Sequence, residues 1–139
     1  TGPMVMTGYI GKEPIDGDLN TDDIGYVDED GFVYILNRRK DLIISGGENI
    51  YPKELEDLVY TLPSVKECAV VPVSDPKWGQ VPALFVAFHD GESMTSDEIL
   101  SFMTQSLAKY KIPKYVKILP ALPRNGTGKI VRNELRLED

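Results

Sequence analysis

Val65-Lys66-Glu67-Cys68-Ala69-Val70-Val71-Pro72-Val73 and Ala83-Leu84-Phe85-Val86-Ala87-Phe88 are the two stretches whose reading decides the fold. Both are strand-length runs of apolar, β-branched or aromatic residues, separated by a loop containing Asp75, Pro76, Trp78, Gly79 and Pro82, and both read as central strands. Upstream, Pro52 suits the first turn of a helix in which Leu55, Leu58, Val59 and Leu62 recur at helical spacing until Pro63 stops it. One face of that helix is core. Downstream, Thr95 and Glu98 form a capping-box pattern that opens a second helix, burying Ile99, Met103, Leu107 and, at its end, Tyr110 before Lys111-Ile112-Pro113 closes it. Tyr115 to Leu119 reads as a third strand and Ile130 to Leu137 as a short closing helix. With Leu42-Ile43-Ile44 as the opening strand, the order is strand, helix, strand, strand, helix, strand, helix. This predicts an α+β fold, a small sheet of about three strands with helices packed on it.

Before residue 41 the pattern differs. Residues 1 to 22 are rich in Gly, Pro, Asp and Thr with little apolar periodicity and read as turns and short edge strands that pack on something outside the chain. Ile24-Gly25-Tyr26-Val27 and Phe32-Val33-Tyr34-Ile35-Leu36 flank the turn Asp28-Glu29-Asp30-Gly31, which predicts a β-hairpin. The polar run Asn37-Arg38-Arg39-Lys40-Asp41 then marks a domain boundary, giving segments 1–39 and 40–139.

The bulk properties narrow the function. A chain of 139 residues with formal net charge −7 and scattered Lys and Arg has no basic face for neutralising phosphates, which excludes a general nucleic-acid binder. No apolar run approaches the roughly 20 residues of a membrane-spanning helix, and the N-terminus shows no signal-peptide pattern, so a cytoplasmic address is expected. The one cysteine, Cys68, sits in Cys-Ala-Val-Val and reads as a buried thiol without a role. The opening Thr1-Gly2-Pro3 in place of an initiator methionine points to a piece of a longer protein.

Two stretches carry candidate chemistry. Pro123-Arg124-Asn125-Gly126-Thr127-Gly128-Lys129 is a flexible glycine-containing loop that brings a lysine and bare amides close to an anion. It is not a Walker loop, because the first glycine of that pattern is missing and Ile130 stands where Ser or Thr is required. Taken alone, it is a solvated turn. The second stretch runs from Asn37 to Pro52 and contains Arg38, Lys40 and the glycine pair Gly46-Gly47.

Here the sequence resembles the acyl-CoA synthetase and adenylating-enzyme family over the whole chain, and among its branches the bacterial o-succinylbenzoate–CoA ligases of menaquinone synthesis. The stretch from Asn37 to Pro52 is similar to the family's hinge and the first segment of its C-terminal lid, and Leu19 to Asp23 to its Thr-Gly-Asp ribose motif. Asp22 stands where the family has glycine, although Asp tolerates left-handed backbone better than most residues. The resemblance implies that residues 1–39 are the tail of a large adenylating domain and 40–139 the mobile lid. It makes Asp23 and Arg38 the partners of the ribose hydroxyls, Lys40 the hinge, and Lys129 the adenylation lysine. Gly46 and Gly47 would let the backbone approach the pantetheine arm of CoA, with Trp78 in a loop near CoA and Lys111 close to its phosphates. The implied cofactors are ATP, CoA and Mg²⁺, all held mainly by the large domain, and the implied partner is a small-molecule carboxylic acid. No resident metal site is expected in this chain, and the isolated fragment is expected to be inactive.

Each residue also has a structural reading. Asp23 and Arg38 are otherwise surface groups, Gly46-Gly47 an ordinary turn, and Trp78 a partly buried packing residue. Lys109 and Lys111 are otherwise cations compensating a helix C-terminus, and His89, with no metal or nucleophile beside it in sequence, a surface residue. Alternatives to the ligase for o-succinylbenzoate are a ligase for another aromatic or fatty acid, a non-catalytic binding module with the lid fold, and an adenylating enzyme that loads a carrier protein.

Overall fold

The computed structural model describes residues 8, 10, 11, 13, 14, 21–38 and 41–137, with residues 36–38 described by their backbone. The chain divides into two compact units, 1–39 and 40–139.

In the first unit, β1 (Asp23–Val27) and β2 (Val33–Arg38) form the expected hairpin. Its turn is held by Asp28, whose Oδ1 accepts from the amides of Asp30 at 3.1 Å and Phe32 at 2.9 Å, while Gly31 takes φ +86°. Tyr26 stacks on Tyr34 with ring centroids 5.0 Å apart. A bulge between Ile24 and Gly25 re-aims the strand at its start. Gly25 is obligatory there, since a β-carbon would stand 2.3 Å from the Tyr34 carbonyl oxygen.

In the second unit the central strands are longer than the sequence suggested. They are β5 (Val65–Asp75) and β6 (Gly79–Phe88), antiparallel along their whole length and joined by Pro76-Lys77-Trp78. Pro82, expected in the loop, lies instead in the ladder, opposite Pro72. Pro72 is exposed on a strand that is an edge of the sheet, where a missing amide costs no ladder bond. The other side of β6 is shared: β3 (Ile43–Ser45) meets it at Gly79, β7 (Tyr115–Ile118) runs parallel to it from Ala83, and Pro82 falls between them. Beyond β3 lies β4 (Glu48–Ile50), so the sheet has five strands rather than about three.

Both faces of the sheet are covered, which explains runs of continuous rather than alternating hydrophobicity. On one face Cys68, Val70, Leu84 and Val86 pack with Leu55 and Val59 of α1 (Pro52–Val59) and Ile99 and Met103 of α2 (Ser96–Thr104). On the other, Ala69, Val71, Ala83, Phe85 and Ala87 pack with Leu122 and Leu135 of the C-terminal segment. The capping box is present: Thr95 Oγ1 accepts from the Glu98 amide, and Glu98 Oε2 accepts from the Thr95 amide at 2.7 Å. Helix α2 nevertheless stops at Thr104, because Ala108 is extended, and Lys109–Lys111 form a separate 3-10 turn with Tyr110 exposed. Lys109 and Lys111 therefore do not compensate the end of α2. The closing helix is only the single 3-10 turn Arg132–Glu134. Cys68 is buried and His89 is exposed.

Candidate functional site

The Lys129 loop is more ordered than its glycines suggested. Asn125 Oδ1 accepts from the Thr127 amide at 3.1 Å, the Thr127 hydroxyl at 2.7 Å and the Lys129 amide at 2.9 Å. The main chain closes the same turn, with the Asn125 N–H donating to the Lys129 carbonyl and the Gly128 N–H to the Asn125 carbonyl, both at 2.9 Å. Gly128 takes φ +83°, a conformation that favours glycine. Arg124 and Ile130 pair across the turn, and Lys129 is exposed at its end.

Two ion pairs tie the segment carrying this turn to the body of the unit. Arg124 donates from Nε and Nη2 to Glu67 Oε2 at 3.1 and 2.7 Å, and Glu67 is buried on β5. Arg132 donates through both Nη1 and Nη2 to the buried Glu56 of α1, whose Oε1 also accepts from the Val70 amide at 2.7 Å. The Glu56 carboxylate holds the Arg132 guanidinium above its usual range. Neither carboxylate was singled out in the sequence, because its arginine lies 57 or 76 positions away.

A groove of about 650 Å³ is lined by Ser45, Gly46, Glu48, Trp78, Val81, Pro82, Lys109, Tyr110, Ile112 and Lys114. Gly46 and Trp78, far apart in sequence, form one wall: the Gly46 N–H donates to the Trp78 carbonyl at 2.9 Å, and the indole covers the space where a β-carbon would be. The buried Asp75 carboxylate orders this wall by accepting from the Lys77 amide at 2.8 Å and the Trp78 amide at 2.9 Å, and it pairs with Lys114. The Lys114 ammonium, followed by the Trp78 amide, lowers the Asp75 pKa, and the same pairing raises that of Lys114. Lys77 lies 4.7 Å above the Trp78 ring, a cation–π contact.

The predicted residues thus fall in different places. Gly46 and Trp78 come together in the groove. Gly47 and Lys111 do not line it; Gly47 faces open space with φ +89°. Lys111 is engaged by Glu54 of α1 at 2.7 Å, which raises its pKa, and the cations at the groove are Lys109 and Lys114. Lys129 is outside the groove. In the first unit, the backbones of Asp23 and Arg38 are register partners across the hairpin, and Asp22 takes φ +58°, the left-handed conformation open to a glycine or an aspartate. The Arg38 side chain and the whole of Lys40 lie outside the described residues. Among the described residues no three His, Cys, Asp or Glu side chains gather as a metal site, and no helix is long and apolar enough to cross a membrane.

Residues 54–129 match the AMP-binding enzyme C-terminal domain family. The chain is 54% identical over 134 residues to a 2-succinylbenzoate–CoA ligase of Lactococcus lactis, which covers 96% of this chain and 29% of that protein. Among solved structures it is similar to the o-succinylbenzoate CoA synthetase (MenE) from Bacillus subtilis in complex with the acyl-adenylate OSB-AMP, with a TM-score of 0.79 and 45% identity over 87% of this chain and 25% of that one. It is also similar to a Mycobacterium tuberculosis fatty acyl CoA synthetase, with a TM-score of 0.72 and 45% identity over 84% of this chain and 23% of that one. The chain therefore spans about 29% of the length of the curated relative it matches.

Proposed function

This chain belongs to the AMP-binding enzyme C-terminal domain family, and from that premise we propose that it is the C-terminal part of an ATP-dependent acid–CoA ligase whose acid is 2-succinylbenzoate. Residues 1–39 are then the end of the large adenylating domain and 40–139 a lid that swings about Lys40. The observation that carries this reading is that the lid presents two separate features: an exposed Lys129 on a tied turn, and a groove walled by Gly46 and Trp78 to which that turn contributes no residue.

The two features suit two half-reactions. In the first, the acid carboxylate attacks the α-phosphorus of ATP, forming an acyl-adenylate and releasing pyrophosphate. Two anions must meet, and the Lys129 ammonium on its long stem bridges them while charge develops at phosphorus. No proton transfer is asked of it. Asp23 and Arg38 hold the ribose, a carboxylate accepting from vicinal hydroxyls and a guanidinium donating. In the second, the CoA thiol attacks the acyl carbon and AMP leaves. The apolar wall of Trp78, Val81, Pro82 and Ile112 suits the pantetheine arm, and Lys109 suits its phosphates, with Lys114 at the groove held by Asp75 and Lys111 held by Glu54. Mg²⁺ would neutralise charge on the ATP phosphates and would be held mainly by the large domain.

The test is Lys129→Ala in the full-length protein. Acid-dependent pyrophosphate release should fall by about 10²- to 10³-fold, while thioester formation from supplied acyl-adenylate and CoA continues. Equal loss of both half-reactions would sink the assignment. A fatty acid is the second acid class, because identity to the fatty acyl CoA synthetase structure, 45%, equals that to the Bacillus subtilis o-succinylbenzoate CoA synthetase structure. Turnover of a fatty acid in preference to 2-succinylbenzoate would select it.

A further inference from the structure

We propose that Asn125 is a positioning residue for Lys129, with the Glu67–Arg124 pair fixing the base of the same turn; the inference rests on the reading of Lys129 as the group that serves adenylate formation. A lysine presented to solvent on a four-carbon stem delivers its charge only as accurately as its backbone is held. The turn behind it contains Gly126 and Gly128, which supply little rigidity of their own. Asn125 supplies it. Its single Oδ1 gathers the Thr127 amide, the Thr127 hydroxyl and the Lys129 amide, so the main chain of Lys129 is bonded directly to the Asn125 side chain.

The neighbouring residue connects this turn to the sheet. Arg124 Nη1 donates to the Gly128 carbonyl at 2.5 Å, while its other nitrogens hold Glu67 Oε2. Glu67 is 4% exposed, and its second oxygen accepts from the Leu122 amide at 3.5 Å. An unbroken path of polar contacts therefore runs from β5 through Glu67, Arg124 and Gly128 to the position of Lys129. Misplacing a charged group by about 1 Å in a preorganised site costs up to about 10²-fold in rate. Removing the Asn125 oxygen deletes three bonds of the turn and leaves its main-chain pair in place, and it does not touch the hydrophobic core, because Asn125 is exposed.

The experiment uses the full-length protein carrying Asn125→Ala or Asn125→Asp, with Lys129→Ala as reference. It measures acid-dependent pyrophosphate release and, separately, thioester formation from supplied acyl-adenylate and CoA. Asn125→Ala should lower kcat for pyrophosphate release by about 10- to 100-fold, with KM for ATP and the thioester step each within about two-fold. Asn125→Asp keeps an oxygen in the accepting position and should return the rate to within about five-fold of the parent. If Lys129→Ala cripples pyrophosphate release and Asn125→Ala does not, the positioning role is overturned while the reading of Lys129 stands. Equal loss of both half-reactions in Asn125→Ala overturns it too, since that is general damage to the lid. A Lys129→Ala protein that activates its acid normally removes the premise, and the proposal with it.

Discussion

Trp78 lies over Gly46 so closely that a β-carbon at position 46 would stand 2.6 Å from Cε3 of the indole. Gly46 also has φ +59°, so Gly46→Ala meets two obstacles, a left-handed backbone and an aromatic ring in its path. The backbone alone costs about 1–2 kcal/mol. Gly47→Ala, at φ +89° with nothing within reach of its β-carbon, meets only the first. Urea unfolding should therefore rank Gly46→Ala as the more destabilising change, accompanied by a shift in the emission of Trp78, the one tryptophan in the chain. Equal losses with unchanged emission would mean that the contact is not held in solution.

Arg132→Ala should cost about 3 kcal/mol in urea unfolding, because it strands the buried Glu56 carboxylate without its counter-charge. Glu56→Gln should cost less, about 1–2 kcal/mol, since the amide oxygen still accepts from the Val70 N–H and the guanidinium left without its counter-charge is partly exposed and still donates to the Val70 carbonyl. The reverse ranking would show that the ion pair is not what fixes the C-terminal segment on α1.

The Trp78 loop should hold between two pH limits. Asp75 has a lowered native pKa, so its contribution is complete above the unfolded value of 3.8 and is lost as pH falls through the lower native one. Lys114 has a raised native pKa, so its contribution is complete below 10.5 and is lost as pH rises through the higher native one. Trp78 emission should be flat between these limits and change on the acid side as Asp75 protonates. In Asp75→Asn that acid step should disappear; its persistence would assign the transition to another group.

Cys68 should be inert to thiol reagents at pH 8 until the lid unfolds. It is 2% exposed, and burial pushes its thiol up to about 12, so the reactive thiolate is scarce as well as shielded. Its labelling rate should follow the concentration of urea through the unfolding transition. Rapid labelling of the folded protein would contradict the packing of β5 against α1.

Features carried by neighbouring residues were legible in the sequence. Thr95 and Glu98 reach each other within one helical turn, Leu55 and Val59 mark one face by their spacing, and Asp28 to Gly31 form their turn from their own side chain and backbone. The limits of β5 and β6 were not, because the sheet supplies hydrogen-bond partners that no local pattern records: Gly79 finds both Asp75 and Ser45 across the ladder. The Asn125-Gly126 step did signal a turn, yet three donors converging on one oxygen requires the turn to be closed. Glu56 and Glu67 carried no local signal, and their burial is matched by arginines delivered by the C-terminal segment.

The order of the two helices and of the strands other than β4, the hairpin, the capped second helix and the two glycine-bearing stretches were determined by the sequence alone, since each rests on periodicity or on contacts a few residues apart. The sequence also carried the likeness to a ligase lid. Tertiary structure alone decided that Gly46 faces Trp78, that Lys109 and Lys114 rather than Lys111 border the groove, and that Arg124 and Arg132 anchor the segment bearing Lys129. Those pairings join positions tens of residues apart. They exist only once the sheet has assembled and hydrophobic packing has brought the C-terminal segment against β5 and α1.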